Sequence, residues 1–139
     1  DPSMTLVGAM GLAASRDRIA HEYVSAFETT FIVGMPALTQ ARQDGLSWDD
    51  AVTETFLQIL AVHPDSHISR RGGIALAERV SEQARCAIEA GGVRSAAGRG
   101  AIDAMNGTLR DDKNLANPGT TADLTAAAIF ATLLSRGWN

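Results

Sequence analysis

The segment from Thr120 to Arg136 constrains the fold more than any other stretch of the chain. Leu124, Ala127, Ile129, Phe130, Leu133 and Leu134 give it apolar side chains on most sides of a helix. A helix that is apolar all round belongs inside a protein, so the pattern predicts a central C-terminal helix, closed by Gly137. Its start is marked by the run Asn117 to Asp123, Asn-Pro-Gly-Thr-Thr-Ala-Asp. Pro118 has no N–H to donate, and Gly119 tolerates unusual backbone angles. Thr120 and Thr121 bring hydroxyls to a helix start, where backbone N–H groups are unpaired. Those N–H groups and the helix dipole make a seat for a phosphate or carboxylate. Asp123, one turn inside, is placed to hold a metal ion or a substrate hydroxyl. Ordinary Thr and Gly capping gives the same pattern, so the run alone does not separate a site from a cap.

The rest of the chain reads as about five further helices and no convincing strand. A Met-, Leu- and Ala-rich helix is expected over residues 3 to 15. Helical spacing resumes from Asp17 through Tyr23, Phe27, Phe31, Leu38 and Ala41, with a kink or break near Val33–Gly34 forced by Pro36. Ser47, followed three residues later by Asp50, opens a third helix whose stripe of Val52, Phe56, Ile59 and Leu60 should face the core. Asp49, Asp50 and Glu54 read as partners of that helix's N-terminal dipole. A fourth helix spans about Gly73 to Ala90, stopped by Gly91–Gly92, and a fifth spans about Ser95 to Arg110. The expected fold is therefore all-α: a single multi-helical bundle of about six helices over residues 1–139.

Composition narrows the classes of function. Aromatic residues make up only 5% while Ala and Leu are abundant, which favours close-packed helices over sheets. At 139 residues the chain is long enough to bury a core. A net charge of −4 argues against a nonspecific grip on nucleic acid. No apolar run has the length of a membrane span and no signal peptide is visible, so the expected setting is the cytoplasm, away from membranes. The one cysteine, Cys86, excludes an intrachain disulfide and any multi-cysteine metal site. It reads as a small buried hydrophobe.

Chemistry-bearing side chains gather in three places. The run His63-Pro64-Asp65-Ser66-His67-Ile68-Ser69-Arg70-Arg71-Gly72-Gly73 packs two imidazoles, a carboxylate, hydroxyls and two guanidiniums into an expected connection between helices. His63 and His67 straddle Pro64, which makes a helical zinc pair a poor reading. Gly98-Arg99-Gly100 and the run Arg110 to Asn114 add charges before the Pro-Gly turn, although Gly98 and Gly100 also suit close helix packing. His21 reads as an ordinary surface or boundary imidazole, and Asp17 and Arg18 as a solvated helix turn.

Together these motifs resemble the C-terminal part of the triphosphoribosyl-dephospho-CoA synthase family. The matching residues are Pro64-Asp65-Ser66-His67-Ile68 with Arg70 or Arg71 and Gly72, Gly98-Arg99, and the run from Asn117 through Leu124-Thr125-Ala126-Ala127. Arg16-Asp17-Arg18-Ile19-Ala20 with Glu22-Tyr23 is similar to one branch of that family. The resemblance implies an enzyme that joins ATP to 3′-dephospho-CoA and releases adenine, making the precursor of a prosthetic group. A ribose hydroxyl of dephospho-CoA would attack C1′ of the ATP ribose through an oxocarbenium-like state. Such chemistry calls for cations on the triphosphate, a carboxylate near the reacting centre and a donor for the departing base. On this chain the implied catalytic residues are Asp65, His67 and Asp123. Arg70, Arg71, Lys113, Asn117, Gly119, Thr120 and Thr121 would contact the nucleotide, and His67 or Lys113 would protonate adenine. Mg²⁺ would bridge phosphate oxygens to Asp112 and Asp123. The loop at 65–71 and the helix start at 119–123 are expected to converge on one phosphate site, with Asp123 facing the ligand.

The chain also departs from that family. Its members are longer and carry a Ser-x-Lys/Arg-Pro-Gly phosphate-contacting motif in an N-terminal half, and none precedes Leu6 here. The expectation is the C-terminal part of a longer enzyme that self-associates or pairs with an N-terminal half. Two other readings stand beside it: a related nucleotide-dependent enzyme of a specialised cofactor pathway, and a non-catalytic helical module that binds a nucleotide or partner. Adenine release from ATP separates the enzymes from the module.

Overall fold

Eight α-helices and two tighter or wider turns follow one another along the chain. The computed structural model describes residues 3–136. They form α1 (Leu6–Gly11), α2 (Arg18–Val24), a π-helical turn (Thr29–Gly34) that runs into α3 (Met35–Gln43), α4 (Trp48–Val62) and α5 (Ser66–Gly72). Then come α6 (Ile74–Glu89), a 3-10 turn (Gly92–Arg94), α7 (Ala96–Leu109) and α8 (Gly119–Arg136). Among the described residues there is no strand. Gly137 lies outside them.

Local chemistry explains most of these boundaries. Thr5, Asp17, Ser47, Asp65 and Ser95 each turn a side-chain oxygen onto N–H groups of the following turn, which pairs donors a helix start leaves open. The helix expected to run on from Asp17 is cut after Val24. Ala26 and Phe27 take left-handed angles, φ 56° and 60°, a conformation that costs a residue with a Cβ. What holds them there is Glu22, whose buried carboxylate accepts Thr29 N–H at 2.9 Å, Thr30 N–H at 3.0 Å and Thr30 Oγ1–H at 2.8 Å. Pro36 falls in the first turn of α3, where a missing N–H is harmless. The connection expected at 63–73 is instead largely the short helix α5, and α1 is shorter than the expected span. These changes turn about six expected helices into eight among the described residues.

The centre of the body is α4, not α8. α4 packs against α3, α6, α8, the π-helical turn and the 3-10 turn, with Leu57, Ile59 and Leu60 buried. α8 buries Leu124, Thr125, Ala128 and Thr132 along one face but leaves Phe130 64% and Leu134 73% exposed. Its apolar character therefore serves one packed face and one uncovered face. Packing is close where the π-helical turn meets α8: a Cβ on Gly34 would lie 2.6 Å from the Ala128 methyl.

Two side chains behave differently from their sequence reading. Cys86 is exposed. Glu54 is buried and does not act on the α4 dipole: it pairs with Arg94 at 2.9 Å and accepts Val93 N–H. No helix of the described residues is long and apolar enough to cross a membrane.

Candidate functional site

α5 divides the candidate residues into two groups, and Asp65 holds the division in place. Asp65 is 1% exposed. Its Oδ1 accepts His67 N–H at 2.8 Å and Ile68 N–H at 3.0 Å, capping α5. Its Oδ2 accepts both the N–H and the hydroxyl of Thr121, each at 2.7 Å. The anion seat expected at the start of α8 therefore exists, and the anion in it is Asp65 of the same chain. Next to it Ser66 Oγ and Thr120 Oγ1 share a 3.0 Å hydrogen bond. The two motifs do converge across more than fifty residues, but Thr120 and Thr121 are buried in the junction and have no face left for a phosphate.

On one side of α5 lies an open cavity of about 330 Å³, walled by the α1–α2 connection, the residues leading into α5, and α6. Arg16, Asp17, Arg18, His63, Ser66, Ser69 and Glu78 supply its polar wall. Asp17 is committed on both oxygens: Oδ1 caps α2, and Oδ2 takes a hydrogen bond from Arg70. Arg18 donates through Nε to Thr29 Oγ1 at 3.1 Å and through one terminal nitrogen to His63 at 2.9 Å. The Arg18 backbone N–H donates to Ser66 Oγ at 3.2 Å, so the cavity wall, the Glu22-capped turn and the start of α8 form one connected network. Burial and the Arg18 charge hold His63 below the ordinary histidine range, outweighing Glu22 and Glu28. This setting favours the neutral imidazole. Glu78 is exposed and makes no ion pair among the described residues.

The other side of α5 carries most of the remaining candidates. His67 packs its ring against Gly119, and Arg71 reaches the Lys113 carbonyl at 3.4 Å. Arg71, Asp112, Lys113 and Asp123 are exposed, and Asn117 is half-buried. Asp111 shapes this loop by accepting N–H groups of Lys113, Leu115 and Ala116. Asp123 does not face the junction. It follows Thr121 by two residues, which turns it about 200° around α8, and it is exposed to solvent. Among the described residues no group of three or more His, Cys, Asp or Glu gathers in a way that could hold a metal.

Sequence reasoning reached Arg70, which acts at the cavity through Asp17, but passed over Arg18, His63 and Glu78. The Arg16-Asp17-Arg18 run was a visible signal. His63 stands in the polar 63–73 run, but its local sequence does not point to Arg18, and nothing in the local sequence marks Glu78.

The profile of the ATP:dephospho-CoA triphosphoribosyl transferase family matches residues 1–139. A protein of Stutzerimonas stutzeri described as a "probable 2-(5''-triphosphoribosyl)-3'-dephosphocoenzyme-A synthase" is 31% identical over 120 residues, covering 86% of this chain and 39% of the relative. A protein of Vibrio cholerae with the same description is 32% identical over 122 residues, 88% of this chain and 35% of the relative. A third, from Pseudomonas syringae pv. tomato, is 27% identical over 125 residues, 90% of this chain and 41% of the relative. The chain thus spans between 35% and 41% of the length of these three curated relatives. No solved structure matches. By the match along its whole length, this chain belongs to the ATP:dephospho-CoA triphosphoribosyl transferase family.

Proposed function

We propose that the chain takes part in transferring the triphosphoribosyl group of ATP to 3′-dephospho-CoA with release of adenine, and that its contribution is the cavity beside α5. The observation that carries this reading is the cavity wall itself: Arg16 and Arg18 stand beside His63, Ser66 and Ser69 at the family-like motif, with Arg70 neutralising Asp17 behind them. A triphosphate needs several cations and N–H or O–H donors at once, and this wall is where the chain brings them together. The volume sits at the low end for a ligand pocket, which suits the phosphate-bearing part of a nucleotide better than the whole of one.

In the transfer, the bond from the acceptor ribose oxygen to C1′ forms as the C1′–N bond to adenine breaks. The acceptor hydroxyl loses a proton and adenine gains one. Glu78 is the unpaired carboxylate on the cavity wall and is suited to the first proton. His67, Lys113 and Asp123, on the far side of α5, would serve only a substrate that reaches around the helix. Asp65 acts in this reading by joining α5 to α8. Any Mg²⁺ would come with the triphosphate, and Asp112 and Asp123 would be the carboxylates offered to it.

Association belongs to the same proposal. Leu6, Val7 and Leu12 on or beside α1, Phe31 and Ile32 on the π-helical turn, and Phe130 and Leu134 on α8 are all exposed. α1 buries none of its residues. Apolar area on that scale is costly in water and fits a covered surface, supplied by a second copy or by other sequence of the family enzyme.

Mass spectrometry of the products formed from ATP and 3′-dephospho-CoA by the full-length gene product tests the reaction. The expected result is adenine together with an adduct carrying the triphosphoribosyl mass. ATP hydrolysis alone, or adenine release that ignores dephospho-CoA, would contradict the proposal.

A further inference from the structure

The hydrogen bonds around Arg18 and His63 fix the proton position on an imidazole of the cavity wall. A guanidinium has donors only, so the 2.9 Å contact from the Arg18 terminal nitrogen requires His63 Nε2 to accept. The imidazole proton must then sit on Nδ1. Nδ1 makes no hydrogen bond among the described residues, and His63 lines the cavity. On Arg18, Nε is occupied by Thr29 and one terminal nitrogen by His63, with Glu28 a further 3.9 Å from that same nitrogen. The second terminal nitrogen makes no hydrogen bond among the described residues. Two unused donors, one on each partner, thus remain in a pair already locked together.

We propose that Arg18 and His63 act as one preset donor pair for a phosphoryl group of the cavity's ligand, with Arg18 holding His63 in the Nδ1–H tautomer. This deepens the reading of the cavity as a phosphate site and rests on it. Thr29 and the Glu22-capped turn behind it keep the guanidinium from swinging away, so little conformational freedom is lost when the anion arrives. The titratable and charged groups facing His63 are His21, Glu22 and Arg18 from α2 and Glu28 from the entry to the π-helical turn. Arg16, Asp17 and, from α6, Glu78 share the cavity wall. A proton added to His63 would set two donors against each other at the Arg18 contact, so the pair works with a neutral imidazole.

The test uses this chain, inorganic tripolyphosphate as the probe, and ¹⁵N NMR of the three histidines. On the unmodified chain His63 should show the Nδ1–H tautomer at pH 7.5. In calorimetry, His63→Gln should bind tripolyphosphate within about threefold of the parent, since its amide can accept from Arg18 and donate to the anion. His63→Leu and Arg18→Lys should each bind about tenfold more weakly, the loss of one charge-assisted hydrogen bond. An Nε2–H tautomer, a parent chain that does not bind, or a His63→Leu variant that binds like the parent would each overturn the proposal. The tautomer reading needs no substitution, so a variant that misfolds does not leave the question open. Tripolyphosphate binding without adenine release by the full-length product would remove the transfer reaction and leave the pair. Full adenine release by full-length His63→Leu would do the reverse.

Discussion

Asp65→Ala is the perturbation whose cost follows most directly from the geometry. The carboxylate accepts four hydrogen bonds while 1% exposed. Losing the cap of α5 costs about 1 kcal/mol. The Thr121 N–H and hydroxyl lose their acceptor inside the protein, at about 1–3 kcal/mol for each donor left unpaired. Because the same atoms relax together, the expected total is about 3–5 kcal/mol, short of the plain sum. Against the total stability of an ordinary domain, about 5–15 kcal/mol, that is a large share. Asp65→Asn should cost less, about 2 kcal/mol: its carbonyl still caps α5, but its NH₂ group meets the Thr121 N–H. Urea unfolding followed by circular dichroism measures both. An Asp65→Ala chain within about 1 kcal/mol of the parent, with an unchanged m-value, would refute the argument that this carboxylate pins α5 to α8.

Other expectations follow from the same structure. Gly98→Ala should destabilise severely, because the new Cβ would meet the Gly92 backbone nitrogen at 2.4 Å; Gly100→Ala, with open space around it, is the control in the same melt. Asp123→Asn should leave the denaturant midpoint unchanged, since the side chain is exposed, so any loss of turnover in the full-length product would report on chemistry alone. Acid should destabilise the fold, and Glu22 and His63 are two of the groups responsible. For Glu22, burial pushes the carboxyl up, but the bonds from Thr29 and Thr30 outweigh it and hold it below its ordinary value of 4.5. Its contribution is complete above 4.5 and is lost as pH falls through the lowered folded value. His63 lies below its ordinary 6.5, so the unfolded chain takes up the proton first and stability falls as pH drops below 6.5. In His63→Gln the upper part of that loss should disappear, as read from urea midpoints between pH 7.5 and 5.

Local signals carried far along this chain. Ser47 caps α4 onto the Asp50 N–H as the Ser-x-x-Asp spacing suggests, and Gly91 and Gly92 stop α6 with positive φ. Pro36 follows the passage from the π-helical turn into α3, but the chain stays helical through Val33–Gly34, where a kink or break is expected from sequence; the interruption lies earlier, at Ala26–Phe27. α5 was harder to see, because a seven-residue helix with only Ser66 and Ile68 buried has no apolar period to read; the Asp65 cap and the glycines at 72 and 73 were its only markers. The left-handed pair Ala26–Phe27 was not legible at all, since it depends on Glu22 reaching forward to Thr29 and Thr30.

The candidate site divides in the same way. The convergence of the Pro64–Ile68 and Asn117–Asp123 runs was legible, because each motif carries groups that need partners. The identity of the anion at the α8 start was not, because Asp65 meets Thr121 only after the helices pack. Arg18 and His63 are 45 residues apart, and each is ordinary in its own neighbourhood. Only the tertiary contact turns them into a donor pair on a cavity wall.

Phosphate groups that enter the cavity on the α2 and α6 side of α5 should leave a defined footprint on this chain. Amide and side-chain NMR of this chain titrated with tripolyphosphate tests it most directly. The largest shifts are expected at Arg16, Arg18, His63, Ser66 and Ser69, with Arg71, Lys113 and Asp123 little changed. Shifts confined to Arg71, Lys113, Asn117 and Asp123, with Arg18 and His63 unmoved, would contradict it and place the site on the opposite side of α5.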